Sequence, residues 1–163
     1  MSRVAIVMGS DSDLPVMQQA HEVLTELDIN SFLSIVSAHR TPNRLYNFAT
    51  NAHEHDISVI VAGAGGAAHL PGMVAALSPL PVIGVPVSAT KLAGEDALLS
   101  IVQMPAGVPV ATVAIDGARN AGILAAQILG ATNPAIRKRV SQFKQQLEQA
   151  SLAKAEKLAD SQS

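Results

Sequence analysis

Apolar runs alternate with amphipathic stretches along most of this chain. Five runs rich in valine, isoleucine and alanine lie at residues 3–8, 32–36, 58–63, 81–87 and 108–115. The segments between and after them carry apolar residues at helical spacing, at 13–28, 42–55, 67–77, 95–104 and 119–130. Continuous apolar runs are typical of strands buried on both faces, and a spacing of three and four residues predicts helices. The pattern therefore predicts a parallel sheet with helices on both of its faces.

This alternation also restricts how the strands are ordered. Five strand–helix units with right-handed crossovers most often give the order 2-1-3-4-5, which is the flavodoxin-like three-layer α/β/α sandwich. We expect that domain to span residues 1–132. Within it, Thr41 is predicted to be the N-cap of the second helix, with Pro42 at its first position, and Gly130 is predicted to end the fifth helix.

A last helix is predicted to start at Asn133 and Pro134. Its apolar residues form one stripe, made of Ile136, Val140, Phe143 and Leu147. The stripe fits a helix packed on its own domain, and it equally fits an arm that lies across a neighbouring copy. We expect residues 133–163 to form this helix and a solvated tail, with the tail at 155–163.

Charge content is low for a globular domain. Charged residues make up 15% of the 163 residues and apolar residues 48%, whereas about 25% charged residues is usual. A surface that is short of charge indicates burial against other copies, so we expect a homo-oligomer, and we favour the arm over the self-packed helix. The net charge of −2 argues against a nucleic-acid partner, which would require many positive charges.

Other absences from the sequence exclude further classes of protein. The chain has no cysteine, so thiolate catalysis and cysteine-ligated metal sites are excluded. No run approaches the ~20 apolar residues of a membrane span, and the first apolar run is too short for a signal peptide. We therefore expect no membrane partner and a cytoplasmic location.

Polar or glycine-rich loops follow the first three predicted strands. They read GSDSD at residues 9–13, SAHRTP at 37–42 and AGAGGAAHLPG at 62–72. In an open parallel sheet, ligands bind beyond the carboxyl ends of the strands, where the strand order reverses. Strands 2, 1 and 3 would be neighbours at that point, so we expect the three loops to form one site.

The residue types in these loops suit a phosphorylated ribose that carries a flat heterocycle. Arg40 can bind a phosphate through two N–H groups, and the imidazole of His39 is a candidate acid/base group. Gly65 and Gly66 would let a flat ring approach the backbone closely. Taken singly, each loop also fits an ordinary capped turn, a surface pair or close helix packing. Two further loops, at residues 84–94 and 100–110, are candidates for closing the site.

The motifs are specific enough to indicate a family. MGSDSD, SAHRTP, AGAGGAAHLPG, GVPV and LLSIVQMPAGVPVATVAI resemble those of the 5-(carboxyamino)imidazole ribonucleotide mutases of purine biosynthesis, over residues 4–130. The resemblance implies a flavodoxin-like enzyme that moves CO2 from the exocyclic nitrogen to ring carbon C4 of 5-carboxyaminoimidazole ribonucleotide. It also implies a homo-octamer with active sites at subunit contacts, no metal and no cofactor.

A related reaction is the alternative. Some relatives carboxylate aminoimidazole ribonucleotide directly with CO2, and these have lysine at the position of Arg40 and lack the AAHLPG run. Both features of this sequence therefore favour the mutase over the direct carboxylase.

The resemblance also assigns roles to individual residues. It implies that His39 is the acid/base group. It implies that the substrate-binding residues are Ser10, Ser12, Asp13, Ser37, Ala38, Arg40, Gly65, Gly66, Ala67 and His69. After the fifth strand this chain reads DGARNAG, at residues 116–122, where family members carry a slightly longer Gly/Ala-rich stretch. We assign no functional residue to that segment.

Two other classes share the predicted fold. A flavin- or nucleotide-binding module without chemistry is disfavoured because aromatic residues are only 2% of the chain. A phosphoacceptor receiver domain is disfavoured because the third strand ends in VAGAGG, without an aspartate to phosphorylate. The remaining histidines, His21, His53 and His55, are expected on the surface and predict no metal site.

Overall fold

A single parallel sheet forms the centre of the computed structural model, which describes residues 3–162. Within those residues the strands are β1 (Arg3–Met8), β2 (Ser31–Ile35), β3 (Ile57–Gly65), β4 (Val82–Val87) and β5 (Ala111–Thr112). Their order is β2-β1-β3-β4-β5, and every neighbouring pair is parallel. The predicted flavodoxin-like order is confirmed.

Six helices cover the two faces of the sheet in the described part of the chain. They are α1 (Leu14–Glu26), α2 (Pro42–Asn51), α3 (Leu70–Leu77), α4 (Glu95–Val102), α5 (Ala118–Thr132) and α6 (Pro134–Asp160). One apolar core joins α1, α5 and α6 to the sheet, and a second core joins α2, α3 and α4 to its other face. After the exposed Arg3, strand β1 is apolar from Val4 to Met8 because its side chains alternate between the two cores, with Ile6 in the first and Val7 in the second.

The fifth strand is much shorter than predicted. It pairs with β4 only at Ala111 and Thr112, whereas the sequence predicted residues 108–115. Pro109 has no N–H to donate to a ladder, and an edge strand has a neighbour on one side only. Directly after β5 the chain still contacts β4, since Val113 N donates to the Gly84 carbonyl at 3.1 Å.

The prediction that Gly130 ends α5 is wrong, because the helix continues to Thr132. A Cβ at Gly130 would lie 3.2 Å from the Cα of Arg137 in α6. The glycine therefore lets the two helices approach closely, which is a different use of its missing side chain from a left-handed stop. Thr41 does hold the N-cap position of α2, with Pro42 as the first helical residue, but its side chain makes no capping hydrogen bond because its hydroxyl donates to the Ser37 carbonyl at 2.9 Å.

Only the first part of α6 packs on the domain. Ile136 and Val140 are buried against the first core and Phe143 is half-buried, but Leu147 is 55% exposed. The helix continues through residues 155–160, all of them exposed, where the sequence predicted a solvated tail. Within residues 3–162 no helix combines the length and the apolarity that crossing a membrane requires.

Candidate active site

A cavity of about 190 Å³ lies at the carboxyl ends of β1, β2 and β3. Ten of the eleven residues assigned from the sequence line it: Ser10, Ser12, Asp13, Ser37, Ala38, His39, Arg40, Gly65, Ala67 and His69. Gly66 is the exception and lies beside the cavity, where a Cβ would be 3.1 Å from the Thr90 methyl group. The three loops therefore meet at one site, as the strand order predicted.

The loop after β1 places a buried carboxylate at one side of the cavity. Asp13 is 4% exposed, and its Oδ2 accepts a hydrogen bond from the Ser10 N–H at 3.0 Å. In return, the Ser10 hydroxyl oxygen accepts from the Ser12 N–H, which completes a capping box. Burial raises the pKa of Asp13 above its ordinary value, although the N–H groups of Ser10 and Gly9 partly oppose this.

Arg40 lies in the loop after β2 and is hydrogen-bonded both within this loop and to the loop after β1. The buried Ser37 hydroxyl accepts hydrogen bonds from Arg40 N at 3.2 Å and from Arg40 Nε at 3.3 Å. Arg40 Nη2 donates to the Gly9 carbonyl in the loop after β1, at 3.3 Å. The exposed guanidinium is therefore held at the edge of the cavity by neutral oxygens, which leave its positive charge uncompensated by a direct ion pair.

The loop after β3 brings the His69 imidazole into contact with the His39 imidazole of the loop after β2. His69 immediately precedes α3, and its Nδ1 lies 2.6 Å from His39 Nε2. The two rings are nearly perpendicular, at 85°, with centroids 4.8 Å apart. One nitrogen must donate and the other accept, so a single proton is shared between the two rings. Within the described residues, this pair is the side-chain hydrogen bond between the loops after β2 and β3.

Small residues narrow the space beneath these histidines. Ala64 and Gly65 end β3, and a Cβ at Gly65 would lie 2.7 Å from the Ala89 Cβ. The loop after β4 thus closes the cavity through Ala89 and Thr90, as the sequence predicted for residues 84–94.

Other lining residues were not assigned from the sequence. Gly9 and Ala64 lie within the quoted loops, and Leu70 follows His69 in the LPG run, where its apolar side chain gave no signal of a site. Residues 100–110, which the sequence also predicted at the site, are not among those that line this cavity. Instead Met104 packs close to Gly72 of α3.

The other histidines lie away from the cavity. His21 is half-buried, and its Nδ1 lies 2.8 Å from the Ser31 hydroxyl, whereas His53 and His55 are exposed. Within residues 3–162 no three His, Asp or Glu side chains are grouped so that they could hold a metal ion.

Comparison with known proteins agrees with this arrangement. Residues 3–150 match the family model described as AIR carboxylase. A Thermotoga maritima protein named N5-carboxyaminoimidazole ribonucleotide mutase is 61% identical, over 97% of this chain and 92% of its own length. A Mycobacterium tuberculosis protein of the same name is also 61% identical, over 89% of this chain and 83% of its own.

Two further proteins are similar to this chain, one in sequence and one in structure. The chloroplastic phosphoribosylaminoimidazole carboxylase of Vigna aconitifolia is 55% identical over 95% of this chain, which matches 28% of that longer protein. The crystal structure of Treponema denticola PurE superposes with a TM-score of 0.88 at 26% identity, over 97% of this chain and 99% of that one. The family match spans most of the sequence and the fold agrees, so this chain belongs to the AIR carboxylase family.

Proposed function

We propose that this protein is an N5-carboxyaminoimidazole ribonucleotide mutase of purine biosynthesis. Family membership and the name shared by its 61%-identical relatives support this activity. The observation that carries it is the His39 imidazole at the edge of a small cavity that also contains Arg40 and the buried Asp13. These groups supply an acid/base, an anion-binding cation and a hydrogen-bond acceptor around one cavity.

The reaction breaks one bond to carbon and forms another without a redox change. The N–C bond of the carbamate breaks, CO2 leaves, and the exocyclic nitrogen takes up one proton. Carbon C4, now enamine-like, attacks the same CO2 and forms the new C–C bond. Loss of the C4 proton restores the aromatic ring, so one proton is taken up and one is released.

His39 is suited to both proton steps. We assign it the role of donating a proton to the nitrogen as CO2 leaves and of removing the proton from C4 afterwards. The hydrogen bond between His39 Nε2 and His69 Nδ1 fixes the orientation of the His39 ring. An acid/base group of this kind contributes about 10²–10⁴-fold to the rate.

The remaining groups bind the ribonucleotide and retain CO2. Arg40 is assigned to the phosphate, because its guanidinium is charged and held without a carboxylate partner. Asp13 is assigned to ribose hydroxyls, with Ser10 and Ser12 beside it. The small side chains around Gly65 and Ala67 leave little volume for CO2 to diffuse away before C4 attacks it.

The direct test supplies the carbamate substrate to the purified chain without ATP or added metal. The mutase converts it to the C4 carboxylate. The second candidate, direct carboxylation of aminoimidazole ribonucleotide, is favoured by the name of the Vigna aconitifolia relative and by the description of the matching family model. Product formed from aminoimidazole ribonucleotide and bicarbonate, with the carbamate left unchanged, would establish the carboxylase and refute the mutase.

We also propose that the protein is a homo-octamer, with the exposed part of α6 beyond Phe143 packing on a neighbouring subunit. The single chain exposes many large apolar side chains, namely Leu14, Ile35, Tyr46, Met73, Leu92, Leu99, Val102, Leu147, Leu152 and Leu158. An exposed apolar surface of this extent is typical of subunit contacts. The cytoplasmic location stays a prediction.

Light scattering of the full chain tests this assembly through its mass. Leu147→Glu places a charge on the apolar stripe of α6 beyond its contacts with the domain, and the proposal expects a lower mass. Gln145→Glu adds the same charge at an exposed position of the same helix and serves as the control. A monomeric unmodified chain would refute the proposed assembly.

A further inference from the structure

Asp116 connects the ends of β4 and β5 behind the cavity. Its N–H donates to the Pro86 carbonyl at 2.8 Å. Its carboxylate accepts from the Ser88 N–H at 2.9 Å and from the Ser88 hydroxyl at 2.5 Å. All three hydrogen bonds therefore reach the residues at the end of β4, although Asp116 itself does not line the cavity.

The backbone conformation at Asp116 allows these contacts. The Gly117 N–H donates to the Ala114 carbonyl at 2.9 Å, which closes a four-residue turn with Asp116 as its third residue. Asp116 has a φ of 58°, in the left-handed region that aspartate tolerates better than most residues. This is the DGAR segment, to which the sequence analysis assigned no functional residue.

The segment that Asp116 anchors, loop 88–94, forms one side of the cavity. Ala89 and Thr90 line it and lie against the glycines that end β3. At the far end of the loop, a Cβ at Gly94 would lie 2.6 Å from the Ile115 side chain, next to Asp116. The loop thus packs on the turn at both ends, and the Thr90 hydroxyl also donates to Asp96 at 2.7 Å.

We propose that Asp116 is a positioning residue that holds loop 88–94 against Gly65 and so keeps the cavity narrow enough to retain CO2. This inference rests on the proposed function. If the loop moves away, the intermediate loses CO2 to solvent, the nitrogen keeps its new proton, and free aminoimidazole ribonucleotide is released. Asp116 does not line the cavity, so we expect its replacement to change whether CO2 is retained and not how the substrate is bound.

The experiment follows the carbon of the migrating carboxylate. The full chain converts unlabelled carbamate substrate in ¹³C-bicarbonate, and the label in the product and the released aminoimidazole ribonucleotide are measured together. The unmodified chain retains its own CO2, which gives little label. Asp116→Gly keeps the backbone freedom but removes the carboxylate, and we expect several-fold more label, more released intermediate and a kcat lower by about tenfold.

Two further variants keep the test independent of folding defects. Ser88→Ala removes only the hydroxyl contact, so we expect a smaller increase in label than for Asp116→Gly. Asp116→Asn keeps an oxygen acceptor and the tolerance of positive φ, and is expected to restore retention close to that of the unmodified chain.

Asp28 provides the matched control. It has a φ of 52°, but it follows α1, at the edge of the sheet opposite the cavity. Asp28→Gly therefore changes an equivalent backbone position and should leave the labelled fraction at the level of the unmodified chain. If the unmodified chain retains CO2 and both Asp116→Gly and Ser88→Ala retain it equally well, the inference is refuted. If the unmodified chain does not convert the carbamate at all, the proposed function fails, and the inference with it.

Discussion

His39 Nε2 lies 2.6 Å from His69 Nδ1, and this contact joins the loops after β2 and β3 across the candidate site. Each ring limits the rotation of the other, because the hydrogen bond requires a defined direction for both nitrogens. The hydrogen bond requires that one of these two nitrogens carries a hydrogen and that the other offers a lone pair.

We expect His39→Asn to keep substrate binding and to lose most turnover, by about 10²–10⁴-fold. Asparagine retains polarity and approximate size but cannot exchange a proton near neutral pH. Steady-state kinetics give kcat, and calorimetric titration with substrate gives Kd. His53→Asn is the control, because His53 is exposed and lies outside the cavity. Near-normal turnover in His39→Asn would remove His39 from the acid/base role.

His69→Asn is expected to lower kcat less than His39→Asn does. His69 orients the His39 ring through the 2.6 Å contact, so its loss leaves the acid/base group present but less well directed. In a chain that already carries His39→Asn, the second change should have little further effect, because its target is gone. The comparison requires kcat for both single variants and the double variant. Multiplicative losses would show that the two histidines act separately.

Arg40→Ala is expected mainly to raise KM, since the guanidinium is assigned to the substrate phosphate. Loss of a charge-assisted hydrogen bond costs about 1.5–3 kcal/mol, which corresponds to roughly 10- to 150-fold in KM. Arg44→Ala is the matched control, because Arg44 donates to the Ile35 carbonyl and the Ser34 hydroxyl, outside the cavity. A fall in kcat with unchanged KM would count against the phosphate assignment.

The sheet order and the meeting of three loops could be predicted from sequence because both depend on local patterns. Apolar runs define strands, and parallel strands with right-handed crossovers bring their carboxyl ends to one edge. The sequence therefore predicts Arg40 and His39 beside Ser10 and Asp13, and all four line the same cavity.

Contacts that depend on loop conformation could not be predicted in this way. The His39–His69 pair spans 30 positions, and the Ser88–Asp116 pair spans 28. Each needs two loops to adopt particular backbone angles, such as the positive φ at Asp116. Gly130 shows the same limit, because its missing side chain suits both a helix end and close helix packing, and only the position of Arg137 distinguishes them.

Gly65→Ala should lower both activity and the free energy of unfolding. The new Cβ would lie 2.7 Å from the Ala89 Cβ and 3.0 Å from the Val87 carbonyl oxygen, so loop 88–94 must shift. Overpacking of this kind costs about 1–3 kcal/mol. Denaturant unfolding measures the stability change, and the mutase assay measures the activity.

Gly9→Ala is the control for this stability effect. Its nearest new contact is Asp13 Oδ2 at 3.6 Å, an ordinary van der Waals distance. Both variants lower the entropy of the unfolded chain similarly, so the difference between them reports the steric contact at Gly65. Equal free energies of unfolding for the two variants would contradict the close packing of Gly65 on Ala89.

Asp13→Asn is expected to change how stability depends on pH. Burial raises the pKa of Asp13 above its ordinary value of 3.8, so the folded chain holds this proton more tightly than the unfolded chain. As pH rises from 3.8 through the raised pKa, the folded state binds more protons than the unfolded state, and the free energy of unfolding decreases. Asparagine can still accept the Ser10 N–H but does not titrate, so this decrease should be absent.

Asp11, two residues before Asp13, is a suitable control because its pKa is shifted in the opposite direction. A hydrogen bond from the Ser10 hydroxyl lowers the pKa of this exposed carboxyl. Its stabilising contribution is therefore present at pH values above its ordinary pKa of 3.8 and is lost as pH falls through the lowered pKa.

Urea unfolding of the unmodified chain, Asp13→Asn and Asp11→Asn across this pH range separates the two effects. Relative to the unmodified chain, Asp13→Asn should gain stability with rising pH and Asp11→Asn should lose it. If the free energies of unfolding of the unmodified chain and of Asp13→Asn change with pH in parallel, burial does not raise the pKa of Asp13.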